Sequence, residues 1–305
     1  MNAPQDETTT TGGGPDLPAG GVLAAVDGSE SAAHALAWAV AEAQARQVGL
    51  TIAHSYHWPS SGLGAMEAAG FLMDALEQDS AEVLSAAAEA AKKLAPDLTV
   101  HTVSRLGPPV PTLVKLSEGR DLIVVGSRGL GGFAGMLLGS VGTGLVADAH
   151  CPVAVVRGER APERTDPVVV GVDGAPASSD VLREAFAAAA RRGCPLIAVH
   201  AWQDPTADMR AARGKADGEQ QESWQRSVSD DLAQRIAEVG KDFASVQVQA
   251  VTSSQRPAAA LLEQAKTAQL VVVGTRGRGD ITGLLLGSTS RSLVQHAPCP
   301  VMVVR

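Results

Sequence analysis

The sequence predicts an α/β fold made of two doubly wound domains in tandem. Three observations carry this. Short apolar runs rich in Val and Ile, such as Leu122–Val125 and Leu270–Val273, are too short for helices. They do not alternate with polar residues, which is how strands buried on both faces read. Longer stretches of helical character separate them, and β-α alternation implies a parallel sheet with helices on both sides. The whole pattern then occurs twice. Val22–Val26 and Asp27 return as Val168–Val172 and Asp173 at an offset of 146 residues. A repeat of this size is a duplicated domain, not a solenoid unit, and 305 residues suit two such domains.

The elements follow in order. Val22–Val26 is a strand ending at Asp27, Gly28 and Ser29. Ser29 or Glu30 caps an Ala-rich helix predicted over 31–48, and Gly49 closes it. Leu50–Ser55 is the second strand. A loop with Pro59, Gly62 and Gly64 leads to a helix predicted over 66–94, stopped by Pro96. A third strand is predicted over 98–103. Gly107, Pro108 and Pro109 turn the chain into a short helix over 110–118, ended by Gly119. Then come strand four, a glycine-rich loop, a helix from Ser140 and a last strand, Val153–Val156.

Composition places the first 20 residues in a disordered tail, rich in Thr, Gly and Pro. The domains are read as 21–157 and 167–305. The charged stretch 158–166 is the linker.

The bulk numbers exclude several functions. The net charge of −8, with four Phe and one Tyr and no long basic run, argues against a nucleic-acid surface. No apolar stretch of about 18 residues exists to span a membrane. The N-terminus has neither the basic nor the apolar region of a secretory signal. Cys151, Cys194 and Cys299 form no CxxC pair and are odd in number, which suits a reducing cytoplasm. They are read as small buried groups.

The candidate site lies in the paired stretches after strand four. Gly126, Gly129, Gly139 and Ser140 return as Gly274, Gly277, Gly287 and Ser288. Strand, glycine loop and helix start bring backbone N–H groups and the positive helix end to bear on an anion. In a doubly wound sheet, ligands sit beyond the carboxyl ends of the strands where the strand order reverses. If strands one and four are neighbours, Asp27 meets Gly126 there, and Asp173 meets Gly274. The loop is neither a Walker A motif nor a GxGxxG fingerprint. Arg128 and Arg276 are candidate phosphate ligands or solvated loop cations. His54 and His200, at strand ends, are read as packed and hydrogen-bonded.

At these residues the chain resembles the universal stress protein family in its ATP-binding form, over nearly all of both repeats. The resemblance implies a Rossmann-like domain, twice over, each with a five-stranded parallel sheet of order 3-2-1-4-5. It implies two ATP per chain, with Mg2+. Asp27 and Asp173 would face the adenosine, and Ser55 and Ala201 would offer backbone groups to the adenine. Gly126, Gly129, Gly139, Ser140 and Val141 would hold ribose and phosphates in one copy, and Gly274, Gly277, Gly287, Ser288 and Thr289 in the other. Ala25 and Gly171 are small enough to admit the adenosine. The resemblance also implies that the last strands pair between domains, giving an intrachain pseudo-dimer, and that whole chains associate as a homodimer.

The leading reading is an ATP-binding regulatory protein of the stress or dormancy response. One alternative is an ATPase or nucleotidyl transferase of the adenine-nucleotide α-hydrolase group. The sequence shows no evident general base for it and no cationic clamp beyond Arg128 and Arg276. The other alternative is a nucleotide-free scaffold, which loss of the glycines would have favoured.

Overall fold

A computed structural model of the chain describes residues 18–57, 69–130, 138–157, 165–175, 178–201, 218–275 and 286–305. In the first repeat the elements are β1 (Val22–Ala25), α1 (Glu30–Arg46), β2 (Leu50–Tyr56), α2 (Ala69–Leu94), β3 (Val100–Leu106), α3 (Pro109–Leu116), β4 (Leu122–Gly126), α4 (Ser140–Asp148) and β5 (Val153–Val156). In the second they are β6 (Val168–Gly171), α5 (Ser178–Arg192), β7 (Leu196–Ala201), α6 (Gly218–Gly240), β8 (Val248–Ser253), α7 (Pro257–Ala265), β9 (Leu270–Gly274), α8 (Ser288–His296) and β10 (Val301–Val304).

The ten strands form one sheet in the order β3-β2-β1-β4-β5-β10-β9-β6-β7-β8. Each half reads 3-2-1-4-5, and all pairs within a half are parallel. The halves meet where β5 and β10 run antiparallel, with Val153 opposite Val303 and Val155 opposite Val301. The expected pairing of the last strands is therefore present within one chain. It removes two apolar edges that would otherwise invite aggregation.

The core forms two layers, one on each face of the sheet. Val22 and Ala24 of β1 face the layer that contains Leu36, Ala39 and Leu84. Leu23 and Ala25 face the one that contains Leu113, Leu145 and Val146. Each layer runs on into the second repeat. Burial on both faces explains why the strands are continuous apolar runs; each Val or Leu side chain so buried contributes about 1.5–3 kcal/mol.

Among the boundaries that depart from the sequence reading, three have a clear physical cause. Helix α1 is capped at its start by Ser29, whose hydroxyl accepts the Ala32 N–H, but it ends at Gln47, not Gly49. Gln47 takes the left-handed conformation itself, with φ 58°. Strand β3 continues to Leu106 because its backbone pairs with β2 as far as Tyr56, whatever the polarity of Ser104 and Arg105. Helix α3 starts at Pro109, where a missing N–H costs nothing. At the end of the expected tail, Pro18 and Gly20 are tied down, because both carbonyls accept from the Arg120 guanidinium at 2.9 Å. The predicted loop at Pro59, Gly62 and Gly64 lies outside the described residues.

Among the described residues, two polar contacts join the repeats away from the sheet. Helices α1 and α5 share a buried ion network. Glu42, only 1% exposed, receives Arg46 at 2.6 Å and Arg192 at 2.5 Å, and Glu184 receives Arg46 at 2.5 Å and Arg191 at 2.9 Å. The Arg192 guanidinium also lies 5.7 Å from the Trp38 ring centre. Burial works against the charged form of Glu42, but Arg192, Arg46 and Arg191 outweigh it and hold the carboxyl below the usual range. The second contact is reciprocal. Arg157, just after β5, donates to the Gln295 carbonyl near the end of α8. Arg305, just after β10, donates to the Val146 and Ala147 carbonyls near the end of α4. Each arginine thus finishes the last turn of a helix in the other repeat, where a cation suits the helix dipole.

Candidate functional site

Strand order places the switch point between β1 and β4, with Ala25 opposite Val125. Beyond these strand ends two loops approach each other, and Asp27 joins them. One carboxylate oxygen accepts the Ser29 N–H at 3.0 Å and the other accepts the Leu130 N–H at 2.9 Å. The helix cap is therefore Ser29, and Asp27 is left to bridge the two loops. Ser31, which sequence reasoning missed, adds a second tie by accepting the Arg128 N–H at 3.3 Å.

The three glycines of this loop have different reasons to be glycine. A Cβ at Gly126 would lie 2.6 Å from the Ser31 hydroxyl, and one at Gly129 would strike the Asp27 carboxylate. Both are explained by contacts within the protein. Gly139 is not. Its φ and ψ of −71° and 161° suit any residue, and a Cβ there would meet nothing closer than the Ser127 carbonyl at 3.7 Å. It is the N-cap of α4 yet offers no side chain to the first turn, where N–H groups lack intrahelical partners. Ser140 is exposed there and Val141 half-buried.

The second repeat builds the same frame. Ser127 N–H donates to Val156 O at 2.9 Å and Gly139 N–H to Ser127 O at 2.8 Å. Thr275 N–H donates to Val304 O at 2.9 Å and Gly287 N–H to Thr275 O at 2.7 Å. Gly287 caps α8 with φ −64° and ψ 152°, again without a side-chain cap. Ser288 and Thr289 open that helix, and the Ser290 hydroxyl donates to the Gly274 carbonyl at 2.5 Å. Asp173 accepts the Ala175 N–H at 3.0 Å and the Ser178 hydroxyl. Arg276 and Gly277 lie outside the described residues.

The remaining expected residues fall as follows. Ser55, at the end of β2, donates its hydroxyl to the Gly107 carbonyl at 2.7 Å. Ala201 ends β7 opposite Ser253 and is half-buried. Ala25 packs in the core layer under the sheet. At Gly171 a Cβ would press on Leu261 at 2.9 Å and Val273 at 3.2 Å, so packing alone asks for glycine there. His54 is packed and bonded, its Nδ1 2.9 Å from the Ser80 hydroxyl, which lies 2.6 Å from that of Ser104. Burial lowers the His54 pKa and Asp27 opposes the shift. All three cysteines are buried.

Two cations border the first loop. Arg128 is exposed on it. Arg157 is half-buried nearby, and its pKa is lowered by burial and then by the Arg128 charge. No signal in the sequence separated Arg157 from the linker it adjoins. Among the described residues no helix is long and apolar enough to cross a membrane, and no group of three or more His, Cys, Asp or Glu could hold a metal ion.

A family model described as the universal stress protein family matches residues 20–157 and again 164–305. The chain belongs to that family. A universal stress protein of Mycobacterium tuberculosis is 37% identical over 303 residues, covering 93% of this chain and 97% of its own. One from Mycolicibacterium smegmatis is 38% identical over 299 residues, with the same coverage. Among solved structures, a universal stress protein from Archaeoglobus fulgidus superposes with a TM-score of 0.70 at 22% identity, over 95% of this chain and 99% of that one. This likeness bears on the fold, and the two Rossmann-like domains of this universal stress protein agree with it.

Proposed function

We propose that this universal stress protein is a regulatory nucleotide-binding module that takes one ATP, with Mg2+, in each repeat. Gly139 carries the reading. It is an unstrained glycine at a helix N-cap, where Ser, Asp or Asn would serve the helix better. A Cβ there would make only ordinary contacts, from 3.7 Å outwards, so nothing in the fold keeps a side chain out and the bare position serves something that comes from outside. A phosphate placed there receives the free N–H groups of the first turn of α4 and the helix dipole. Arg128, exposed on the same loop, adds positive charge.

Asp27 stands across the crevice. Each of its oxygens already accepts one N–H and retains a lone pair for a ribose hydroxyl. Gly287, Ser288, Thr289 and Asp173 would do the same in the second repeat. Ser55 and Ala201 are the strand-end residues that would flank the bases. Mg2+ would travel on the phosphates. No group among these residues is placed to activate water, so hydrolysis is slow or absent and ATP acts as a signal for a stress response, in a cytoplasmic chain that forms homodimers.

Calorimetry with ATP and Mg2+ tests the reading, and a stoichiometry near two is expected. Steady-state phosphate release should fall well below the enzyme scale of about 1–1000 s⁻¹. A chain that binds no ATP sinks the proposal. Turnover within that range, abolished by changing Arg128 and Arg276, moves the protein to the ATPase class.

A further inference from the structure

We propose that Arg235 is a positioning residue for the second nucleotide site alone, since no described residue of the first repeat is its counterpart. The inference rests on the nucleotide-binding reading above. Arg235 lies on α6, one turn after Asp231, whose carboxylate holds its Nε–H at 2.9 Å. The rest of the guanidinium turns to the loop between β6 and α5. Its Nη2 donates to the Gly174 carbonyl at 2.9 Å and its Nη1 to the Ala175 carbonyl at 3.4 Å. On the opposite side of the same loop, the Ala175 N–H and the Ser178 hydroxyl both donate to one oxygen of Asp173. This part of the loop, Gly174 and Ala175, is therefore held from both sides. Its carbonyls are drawn towards α6 and its amide towards Asp173. A planar guanidinium suits this task, because one fork spans two adjacent acceptors. Gly174, at φ +76°, makes the turn that presents both carbonyls to it.

The first repeat has the same loop without this brace. At the offset of 148 residues that relates the later elements, Leu84 matches Leu232, and both are buried in the same core layer. Val83 then stands where Asp231 is, and Ala87 where Arg235 is. Ala87 is a small core residue with no donor. Val83 offers the loop only an apolar contact, 3.5 Å from where a Gly28 Cβ would lie. In the first repeat the loop is held instead by Asp27, which accepts the Ser29 and Leu130 N–H groups, and by the Ser29 cap; in the second, where Ala175 stands in the place of Ser29, it relies on Arg235. Preorganisation of this kind raises affinity without adding a contact to the ligand. Affinity at the second site therefore depends on Arg235, and affinity at the first does not.

The test titrates Mg·ATP into the full chain by calorimetry, with one site silenced at a time. In the Gly139→Asp background only the second site remains. There Arg235→Met, which keeps the side-chain stem, should weaken binding about tenfold, the scale of one lost charged hydrogen bond. Arg235→Lys should restore most of it, since an ammonium can still reach one carbonyl. In the Gly287→Asp background, which leaves the first site, Arg235→Met should change nothing. Thermal melting of the unliganded variants records any general loss of stability. A change under about twofold at the second site, or an equal loss at both sites, overturns the proposal. A wild-type chain that takes up no Mg·ATP removes the nucleotide-binding reading itself, and this inference with it.

Discussion

Gly139→Asp separates the binding reading from a structural one, because the two predict opposite signs. For the fold the change is mild. The backbone already has N-cap geometry, and the nearest neighbour of the new Cβ is an ordinary 3.7 Å away. An aspartate there can accept from the first turn of α4, worth a few tenths of a kcal/mol over glycine. Loss of glycine's freedom in the unfolded chain adds about 0.4–1 kcal/mol in the same direction. Unliganded Gly139→Asp should therefore melt at or slightly above the wild-type temperature, with an unchanged far-ultraviolet circular dichroism spectrum. For binding the change is severe. A carboxylate about 4 Å from a phosphate, at an effective dielectric constant near 20, costs about 4 kcal/mol. That is about a thousandfold in affinity, enough to delete one ATP from a calorimetric titration. Gly129→Ala is the informative contrast, because its methyl group strikes Asp27 and should disturb the loop before any ligand arrives. The reasoning fails if Gly139→Asp stays folded and, together with Gly287→Asp, still binds two ATP with native affinity. The phosphates would then lie elsewhere.

Three further outcomes are expected. Glu42→Gln should destabilise the chain by about 3–5 kcal/mol in denaturant titrations at pH 7, since it leaves Arg46, Arg191 and Arg192 under-compensated in a buried network. The folded pKa of Glu42 lies below the ordinary value of about 4.3, so its stabilisation is complete above that pH and is lost as pH falls through the folded pKa. The acid slope of stability should flatten in the variant, and an unchanged slope would contradict this. Burial, partly offset by a hydrogen bond from the Ile123 backbone, raises the Cys151 pKa to about 11. Mass spectrometry after iodoacetamide treatment of the native chain at pH 8 should find Cys151 unmodified; labelling as fast as in denaturant refutes that burial. Finally, a fragment ending at Arg157 exposes the β5 edge that β10 covers, and should self-associate in sedimentation experiments. A stable, soluble monomer would show that the edge needs no partner.

The sheet was legible in the sequence because burial on both faces leaves an unmistakable trace. Runs such as Leu122–Val125 contain no polar residue, and their return in the second repeat supplied an independent check. The strand order came from resemblance, since apolar runs carry no record of which neighbour they pair with. Edges were less legible. Ser104 and Arg105 belong to β3 through backbone pairing that no side chain reports. Gln47 closes α1 in a conformation usually left to glycine, so Gly49 drew attention two residues too late. In the candidate site, the glycines, Asp27 and Asp173 stood out because they follow strands and recur. Ser31, Arg157 and Arg235 did not. Each acts through a partner distant in sequence or on another element, and taken alone each reads as an ordinary polar residue on a loop or helix. The network of Glu42, Arg46, Glu184, Arg191 and Arg192 was hidden for the same reason, since such charges usually mark a solvated helix face.

The exchange of Arg157 and Arg305 has a consequence for how such a chain can diverge. In a symmetric pair of separate, identical subunits, a single codon would write both clasps, and any change would strike the two helix ends at once. Fusion into one chain gives each clasp its own codon. Arg157 can be altered while Arg305 stays, so α8 can be loosened at its far end while α4 remains held. Both of these helices begin at a bare glycine cap. A tandem chain of this kind can therefore tune one half through a residue encoded in the other, a freedom that a pair of identical subunits lacks.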